Sequence, residues 1–286
     1  MILIDYSGVA IAALFANGLD KEDKVDENIL RHIILSSLLS FKKKYSKQYG
    51  EMVLCMDAGE VWRRDEFAQY KASRKTKRTE SKLDWNEIFD ALNNISREIR
   101  EFVPWKALKI HKCEADDIIA VLCKDAQSQF GAEQCLIISS DKDMKQLQRY
   151  WNVRQWSPNQ GKFLDEKHPL QFLEDHILSG DKGDGVPNVY SDDDTFVEGK
   201  RQTVLTAKRK VEVLECIESG LWDDPKLKNN YERNRLMIDF ESIPEEIQNK
   251  IREANETVEV PNGSQLMNYF IQKRCKQLMS SLQDFK

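Results

Sequence analysis

Leu136-Ile137-Ile138-Ser139-Ser140-Asp141-Lys142-Asp143 is an apolar run that stops in two carboxylates, and the chain repeats the design twice. Ile2-Leu3-Ile4 runs into Asp5, and Met52-Val53-Leu54-Cys55-Met56 runs into Asp57. Apolar residues at successive positions mark strands buried on both faces, as in parallel sheets. Helical periods stand between these runs. Leu30, Ile33, Ile34, Leu38 and Phe41 share one face, as do Trp85, Ile88, Phe89, Leu92, Ile95, Ile99 and Phe102. The alternation predicts an α/β fold, a mostly parallel sheet flanked by helices, in which ligands gather at the carboxyl ends of the strands. Asp5, Asp57, Asp141 and Asp143 all fall on that edge.

Two further acidic groups follow. Glu114-Ala115-Asp116-Asp117 opens the apolar run Ile118-Ile119-Ala120-Val121-Leu122, and Gly180-Asp181-Lys182-Gly183-Asp184-Gly185 is a glycine-rich turn. Each has a plain reading: acidic residues at a helix start complement its dipole, and Asp beside Gly is ordinary turn chemistry. For Glu114 and Asp181 taken singly, that reading leads. It supplies no reason for three buried strands to end in Asp, since like charges repel by ~4 kcal/mol at 4 Å and an effective dielectric of 20. A cation is therefore expected among them. The four histidines and six cysteines form no zinc-spaced pairs, so hard oxygen ligands point to magnesium, with manganese able to substitute. A broad carboxylate rim holds two such ions about 3.5 to 4 Å apart in phosphoryl-cleaving enzymes.

At 286 residues, with 41% hydrophobic and 32% charged residues, the chain has material for a real core and lacks the signature of disorder. No run approaches a membrane span, and the start carries no basic leader before an apolar stretch; a cytoplasmic protein is expected. The cysteines stand singly and are expected as buried free thiols. A net charge of −5 speaks against nucleic acid as partner, but its distribution speaks for it. From Trp62 to Lys82 the basic residues Arg63, Arg64, Lys71, Arg74, Lys75, Lys77, Arg78 and Lys82 face only Asp65, Glu66 and Glu80, with Trp62, Phe67 and Tyr70 interleaved. A solvated helix is the plain reading of such a run; its place just after the Asp57 strand shifts it toward phosphate binding.

These marks resemble the flap-endonuclease-like 5′ nuclease family: Asp5, Asp57, Tyr70-Lys71-Ala72-Ser73-Arg74, Glu114-Ala115-Asp116-Asp117, Ser140-Asp141-Lys142-Asp143 and Gly180-Asp181-Lys182-Gly183-Asp184, in family order. The likeness is nearest to the ribonuclease H group of T-even phages, where it extends to Trp62-Arg63-Arg64-Asp65, Gln155-Trp156-Ser157-Pro158, Val197-Glu198-Gly199 and Ile238-Asp239-Phe240. It implies a PIN-like catalytic domain over 1–178 with a helical arch near 60–84. A helical DNA-binding domain over 179–286, with a degenerate helix-three-turn-helix element, would complete the chain. The implied activity is a metal-dependent 5′-3′ exonuclease and flap endonuclease with ribonuclease H action, removing RNA primers and adjacent DNA from lagging-strand fragments in phage DNA replication.

Carried over position by position, Asp5, Asp57, Glu114, Asp116 and Asp141 resemble ligands of a first metal. Asp117, Asp143, Asp181 and Asp184 resemble direct or water-mediated ligands of a second. Lys71 and Arg74 would neutralise the scissile phosphate. Nucleic-acid contacts are expected from Arg63, Arg64, Tyr70, Lys75, Lys77, Arg78 and Lys182. In the family a glycine-rich turn that often holds potassium follows the Gly-Asp-x-x-Asp motif. Here Val186-Pro187-Asn188-Val189-Tyr190-Ser191-Asp192-Asp193-Asp194 takes its place, so no potassium site is expected, and duplex grip falls to Lys200, Arg201, Lys208, Arg209 and Lys210. For these five, a solvated face is an equal reading.

Expected partners are DNA and RNA–DNA duplexes with 5′ ends or flaps, a single-stranded-DNA-binding protein and a sliding clamp, with the chain a monomer. In the C-terminal part, Val204, Ala207, Val211, Leu214 and Glu218 follow one helical face, and Pro225, Pro244 and Pro261 punctuate what comes after. Leu278, Met279, Leu282 and Phe285 read first as a packed terminal helix and second as a partner stripe. Two other classes stand beside the nuclease: a fork-binding protein without catalysis, against which all nine acidic positions count, and a PIN-type ribonuclease for single-stranded RNA, which would not need the Gly180–Asp184 turn.

Overall fold

The apolar runs that end in aspartate become neighbouring strands. Ile2–Asp5 (β1) pairs in parallel with Met52–Met56 (β2) on one side and Cys135–Ile138 (β4) on the other. Lys106–Lys109 (β3), Val153–Ser157 (β5) and Lys162–Leu164 (β6) complete a 6-stranded sheet in the order β3-β2-β1-β4-β5-β6, with only β6 antiparallel. The computed structural model describes residues 1–21, 25–74, 83–127 and 131–286.

Side chains alternate across a strand, which explains why the runs are apolar throughout. Ile2, Ile4, Leu54, Leu136 and Ile138 join one core with Leu30, Ile34 and Leu38 of helix Glu27–Tyr49 and Ile88, Ile95 and Ile99 of helix Trp85–Phe102. Leu3, Val53, Cys55 and Ile137 between them are also buried, and helix Ala115–Asp125 packs on β1 and β2. The two long helices match the expected periods, each started by an aspartate cap, Asp26 and Asp84.

By contact the chain forms two compact units: Met1–Gly59, Lys82–Lys167 and Glu245–Lys286 make the sheet unit, and Glu60–Ser81 with His168–Pro244 the second. This grouping interleaves in sequence, unlike the linear division between 178 and 179. Residues after 245 group with the sheet because Leu266, Tyr269, Phe270, Leu278 and Phe285 join its core. Met279 and Leu282 pack against it too, so the terminal apolar stripe is a packing surface. Phe285 stacks on Trp105 at 5.0 Å between ring centroids, and the Trp105 indole N–H donates to the Phe285 carbonyl at 2.9 Å.

The second unit has its own small core of Leu178, Val189 and Val213, with Leu205, Leu214, Ile217 and Trp222 against it. Here the expected face of helix Ala207–Ser219 is corrected. Val213 is buried, whereas Val204 and Val211 are 69% and 52% exposed. Lys210-Val211-Glu212-Val213-Leu214 offers two overlapping apolar faces, and the packing partners, not the period, choose between them. All six cysteines are free thiols, buried except for the half-buried Cys216. Among the described residues, no helix is long and apolar enough to cross a membrane.

A buried ionic knot ties three helices of the sheet unit. Glu98 accepts from Arg31 Nε at 2.6 Å, Arg31 Nη2 at 3.1 Å, the Tyr269 hydroxyl at 3.0 Å and Lys273 Nζ at 2.5 Å. Burial pushes the Glu98 carboxyl up, but its bonds from Arg31 and Lys273, with Tyr269, outweigh this and hold it below the usual carboxylate range. Without Glu98 the buried Arg31 keeps its pair with Glu27 and its bond to Asn28 but loses its buried counter-charge, so Glu98→Ala is expected to cost about 3 kcal/mol by denaturant melts at neutral pH. Because the depressed group stabilises the fold above its unfolded pKa, the gap to wild type narrows as pH falls below the carboxylate range. A variant as stable as wild type at pH 7 would remove this knot from the forces holding the helices.

Candidate active site

Asp5 ends β1 and caps helix Tyr6–Ala16, so one residue closes a strand and starts a helix. Its Oδ1 accepts from the Gly8 N–H at 2.8 Å. The close fold-back requires Gly8: a β-carbon there would lie 2.2 Å from Asp5 Oδ2. That second oxygen accepts from the Ser139 hydroxyl at 3.0 Å, and the same hydroxyl accepts from the Asp141 N–H at 3.1 Å. Ser139 is fully buried at the end of β4, so a single oxygen joins the ends of two strands. Gln155, also fully buried, donates to the carbonyls of Ser139 at 3.0 Å and Asp141 at 2.7 Å, and holds the turn beyond the strand.

The other acidic residues of the sheet unit approach from β2 and from helix Ala115–Asp125. Asp57 Oδ1 accepts from the Ala115 N–H at 2.9 Å, tying the β2 end to the helix start. Glu114 and Asp117 form a reciprocal capping box, in which the Glu114 N–H donates to Asp117 Oδ2 at 2.9 Å. These are the helix-start bonds of the plain reading given to Glu114. Asp116 is half-buried, and its charge joins those of Asp5 and Asp57 at the buried Cys55 thiol. Burial first, then the charges of Asp5, Asp116 and Asp57, push that thiol well above its usual pKa. Asp141 is exposed and accepts from the Asp143 N–H at 2.9 Å.

The field of this cluster registers on Asp5. Its carboxyl is raised from 3.8 to about 7, by burial first and the charge of Asp57 next, with Asp141 adding to them; the bonds from Gly8 and Ser139 oppose the rise. Among the described residues of this unit, no three acidic oxygens lie mutually within 4.8 Å. That donor set, all oxygen and too negative to ionise freely, fits a hard cation that keeps water in its shell.

The second unit carries the remaining acidic pair and the cations read from the sequence. Asp181 Oδ1 accepts from the N–H groups of Gly183 at 2.6 Å and Asp184 at 3.0 Å, and its Oδ2 lies 3.1 Å from His176 Nε2. Asp184 Oδ2 accepts from the Tyr70 hydroxyl at 3.0 Å and lies 3.5 Å from Lys71 Nζ, while Arg74 pairs with Oδ1. Lys75, Lys77 and Arg78 lie outside the described residues. Arg63 departs from its expected role: it is 2% exposed, stacks on Trp62 and donates to the Met237 carbonyl at 3.0 Å, so its guanidinium is engaged inside the unit. Tyr70 is likewise buried on Asp184, while Arg64, Lys182 and Arg201 are exposed.

Of the five cations expected to grip a duplex, Lys200 pairs with Asp194 at 2.5 Å, Lys208 lies 3.9 Å from Glu212, and Lys210 pairs with Asp175 at 2.6 Å. Arg209 donates to the Val204 carbonyl at 2.6 Å and stacks over Tyr190. Arg201 is exposed. The acidic triplet Asp192–Asp194 is fully matched, since Asp192 pairs with Lys226 at 2.5 Å and Asp193 with Arg233.

Residues 1–174 match the family described as 5′-3′ exonuclease, N-terminal resolvase-like domain, and residues 172–285 match T4 RNase H, C terminal. The chain belongs to this 5′-3′ exonuclease family, whose members are nucleases that hydrolyse phosphodiester bonds. Among its relatives is ribonuclease H of Enterobacteria phage T4, 34% identical across 99% of this chain and 95% of that protein. DNA polymerase I of Bacillus caldotenax is 29% identical over 66% of this chain and 22% of its own length. In fold, the chain is similar to the bacteriophage T5 flap endonuclease solved as a pseudo-enzyme-product complex with DNA and metal ions. The TM-score is 0.64 at 16% identity, covering 90% of this chain and 98% of that one. The T5 5′-exonuclease solved with bound zinc ions gives 0.62 at 15%, with the same coverage.

Sequence reasoning passed over Gly8, Ser139 and Gln155. The spacing Asp5-x-x-Gly8 was the available sign for the first, and the family-like stretch Gln155-Trp156-Ser157-Pro158 for the third; nothing marked a role for Ser139. The raised Asp5 carboxyl gives a pH prediction with a fixed sign. Between 3.8 and about 7 the folded protein holds a proton on Asp5 that the unfolded chain releases. The contribution of this group to stability is therefore lost as pH rises through that window. In metal-free protein, Asp5→Asn is expected to gain thermal stability relative to wild type as pH is raised from 4 to 7 (about, by this shift); a constant difference in Tm would mean that the charges do not meet at Asp5.

Proposed function

We propose that the protein is a divalent-metal-dependent 5′-3′ exonuclease and flap endonuclease with ribonuclease H activity, which removes RNA primers and adjacent DNA from lagging-strand fragments in phage replication. The observation that carries this reading is the Ser139 hydroxyl bridging Asp5 and the Asp141 turn, with the charge of Asp57 bearing on the same Asp5 carboxyl. Carboxylates drawn together in this way need a cation. Magnesium suits an all-oxygen border that leaves room for water, and manganese substitutes for it. The name of the T4 relative supports RNA–DNA hybrid as a substrate, and the DNA and metal ions of the T5 complex support the same chemistry here.

In this reading Asp5, Asp57, Glu114, Asp116 and Asp141 hold a first ion. Asp117, Asp143 and Asp181 act directly or through water on a second, and Asp184 is the ninth acidic position carried over from the family. Bound ions of this kind activate a water and stabilise the leaving oxygen. The chain's own part is to aim and neutralise: Gly8 and Ser139 fix Asp5, Gln155 fixes the Asp141 turn, and Lys71 and Arg74 meet the charge that grows on the phosphate. Lys200, Lys208 and Lys210 sit in exposed ion pairs worth little in water, which leaves them ready to exchange carboxylate for phosphate. A single-stranded-DNA-binding protein and a sliding clamp are the partners expected of a lagging-strand enzyme.

One assay tests the reading: a 5′-labelled RNA–DNA hybrid and a 5′-flap duplex, each with magnesium or with chelator. Short 5′-phosphorylated products from the hybrid and a cut at the flap base are expected, both abolished by chelator. Asp141→Asn is expected to keep DNA binding and lower turnover by about 100-fold or more. Wild-type rates for that variant in magnesium would refute the metal assignment.

A further inference from the structure

We infer that the turn Gly180–Gly185 is a cradle that aims Lys71 and Arg74, and that Asp184 is its positioning residue and not a ligand of the second ion. The inference rests on the reading that these two cations meet the scissile phosphate. Three observations within the second unit carry it. The first is backbone. Lys71 has φ 57, in the left-handed region that a β-carbon disfavours, and its N–H donates to the Asp184 carbonyl at 2.7 Å. Strained residues of this kind persist where the surroundings over-determine them; here the surroundings are the turn.

The second is proximity. Gly185 has φ +76, and a β-carbon on it would lie 2.9 Å from the Gln69 carbonyl and 3.5 Å from the Lys71 nitrogen. The turn and residues 69–71 are in backbone contact that only glycine allows. The third is the side chains. Both Asp184 oxygens face donors of the Tyr70–Arg74 segment: Tyr70 and Lys71 at Oδ2 and Arg74 at Oδ1, with Arg74 Nε also bonded to the Gly183 carbonyl at 3.1 Å. Arg74 is held on this side and is 41% exposed. His176 and the Gly183 and Asp184 N–H groups engage both oxygens of Asp181, which shapes the turn from beneath.

A carboxylate already matched by a lysine and an arginine is a poor seat for a divalent ion, because the ion would lie among like charges. The same carboxylate is well suited to hold two long side chains in one geometry before the substrate arrives, which lowers the barrier when charge develops on the phosphate.

The test uses the full chain and two variants. Asp184→Asn removes the charge; Gly185→Ala leaves every ligand in place and pushes the turn off Gln69. Both are expected to slow single-turnover cleavage of a 5′-flap duplex at saturating magnesium by about 10-fold or more, with KM within about 2-fold. Manganese binding to the DNA-free protein, read by calorimetry, is expected to stay within about 2-fold of wild type. In a Lys71→Ala/Arg74→Ala background, Asp184→Asn is expected to add less than about 3-fold, because the groups it positions are gone. A loss of manganese affinity of about 10-fold or more in Asp184→Asn, or full multiplication of its effect on that background, would overturn the assignment. Wild-type cleavage by Gly185→Ala would do the same. Failure of the underlying reading is distinct: Lys71→Ala/Arg74→Ala would then cleave as fast as wild type, whatever the manganese data show.

Discussion

Repulsion among carboxylates at the ends of parallel strands is the constraint around which this chain is arranged. A parallel sheet aligns its strand ends, and three of those ends, or the turns just beyond them, carry aspartate. The fold manages the resulting charge with hydrogen-bond donors: the Gly8 N–H and Ser139 hydroxyl on Asp5, the Ala115 N–H on Asp57, and the Asp143 N–H on Asp141. Those donors fix where the oxygens stand but do not neutralise them, and the raised Asp5 carboxyl records the remainder. That unbalanced charge is what the proposed cation would neutralise.

The second unit shows the opposite balance. Its acidic residues are matched by cations of the same unit: Asp184 by Lys71 and Arg74, and the Asp192–Asp194 triplet by Lys226, Arg233 and Lys200. Of these pairs, Lys71–Asp184 is mostly buried, whereas Lys200–Asp194 and Lys226–Asp192 are exposed and worth little in water.

Much of this was legible in the sequence because strand and helix periods differ, and because an apolar run ending in Asp is informative wherever it recurs. The sheet, the long helices and the acidic positions could be read in that way. What escaped were contacts between residues far apart in sequence. Ser139 stood in the sequence only as the end of an apolar run, and its hydroxyl bridges two strand ends. Arg63 looked like one more cation of a basic run, yet it is buried on the Met237 carbonyl. The face of helix Ala207–Ser219 was misread because its apolar residues support two registers, and packing partners such as Leu178, Val189 and Trp222 decide between them. Composition is local, while these roles depend on which partner the fold delivers.

The stack of Phe285 on Trp105 has a consequence for how the molecule comes into being. The core holding Ile2 and Ile4 also contains Tyr269, Phe270 and Phe285, so a strand and the wall that covers it come from residues far apart in sequence. Contacts of that separation are slow to form, because the chain between them must be ordered before they reward it, and until then the apolar face of the sheet is open to aggregation.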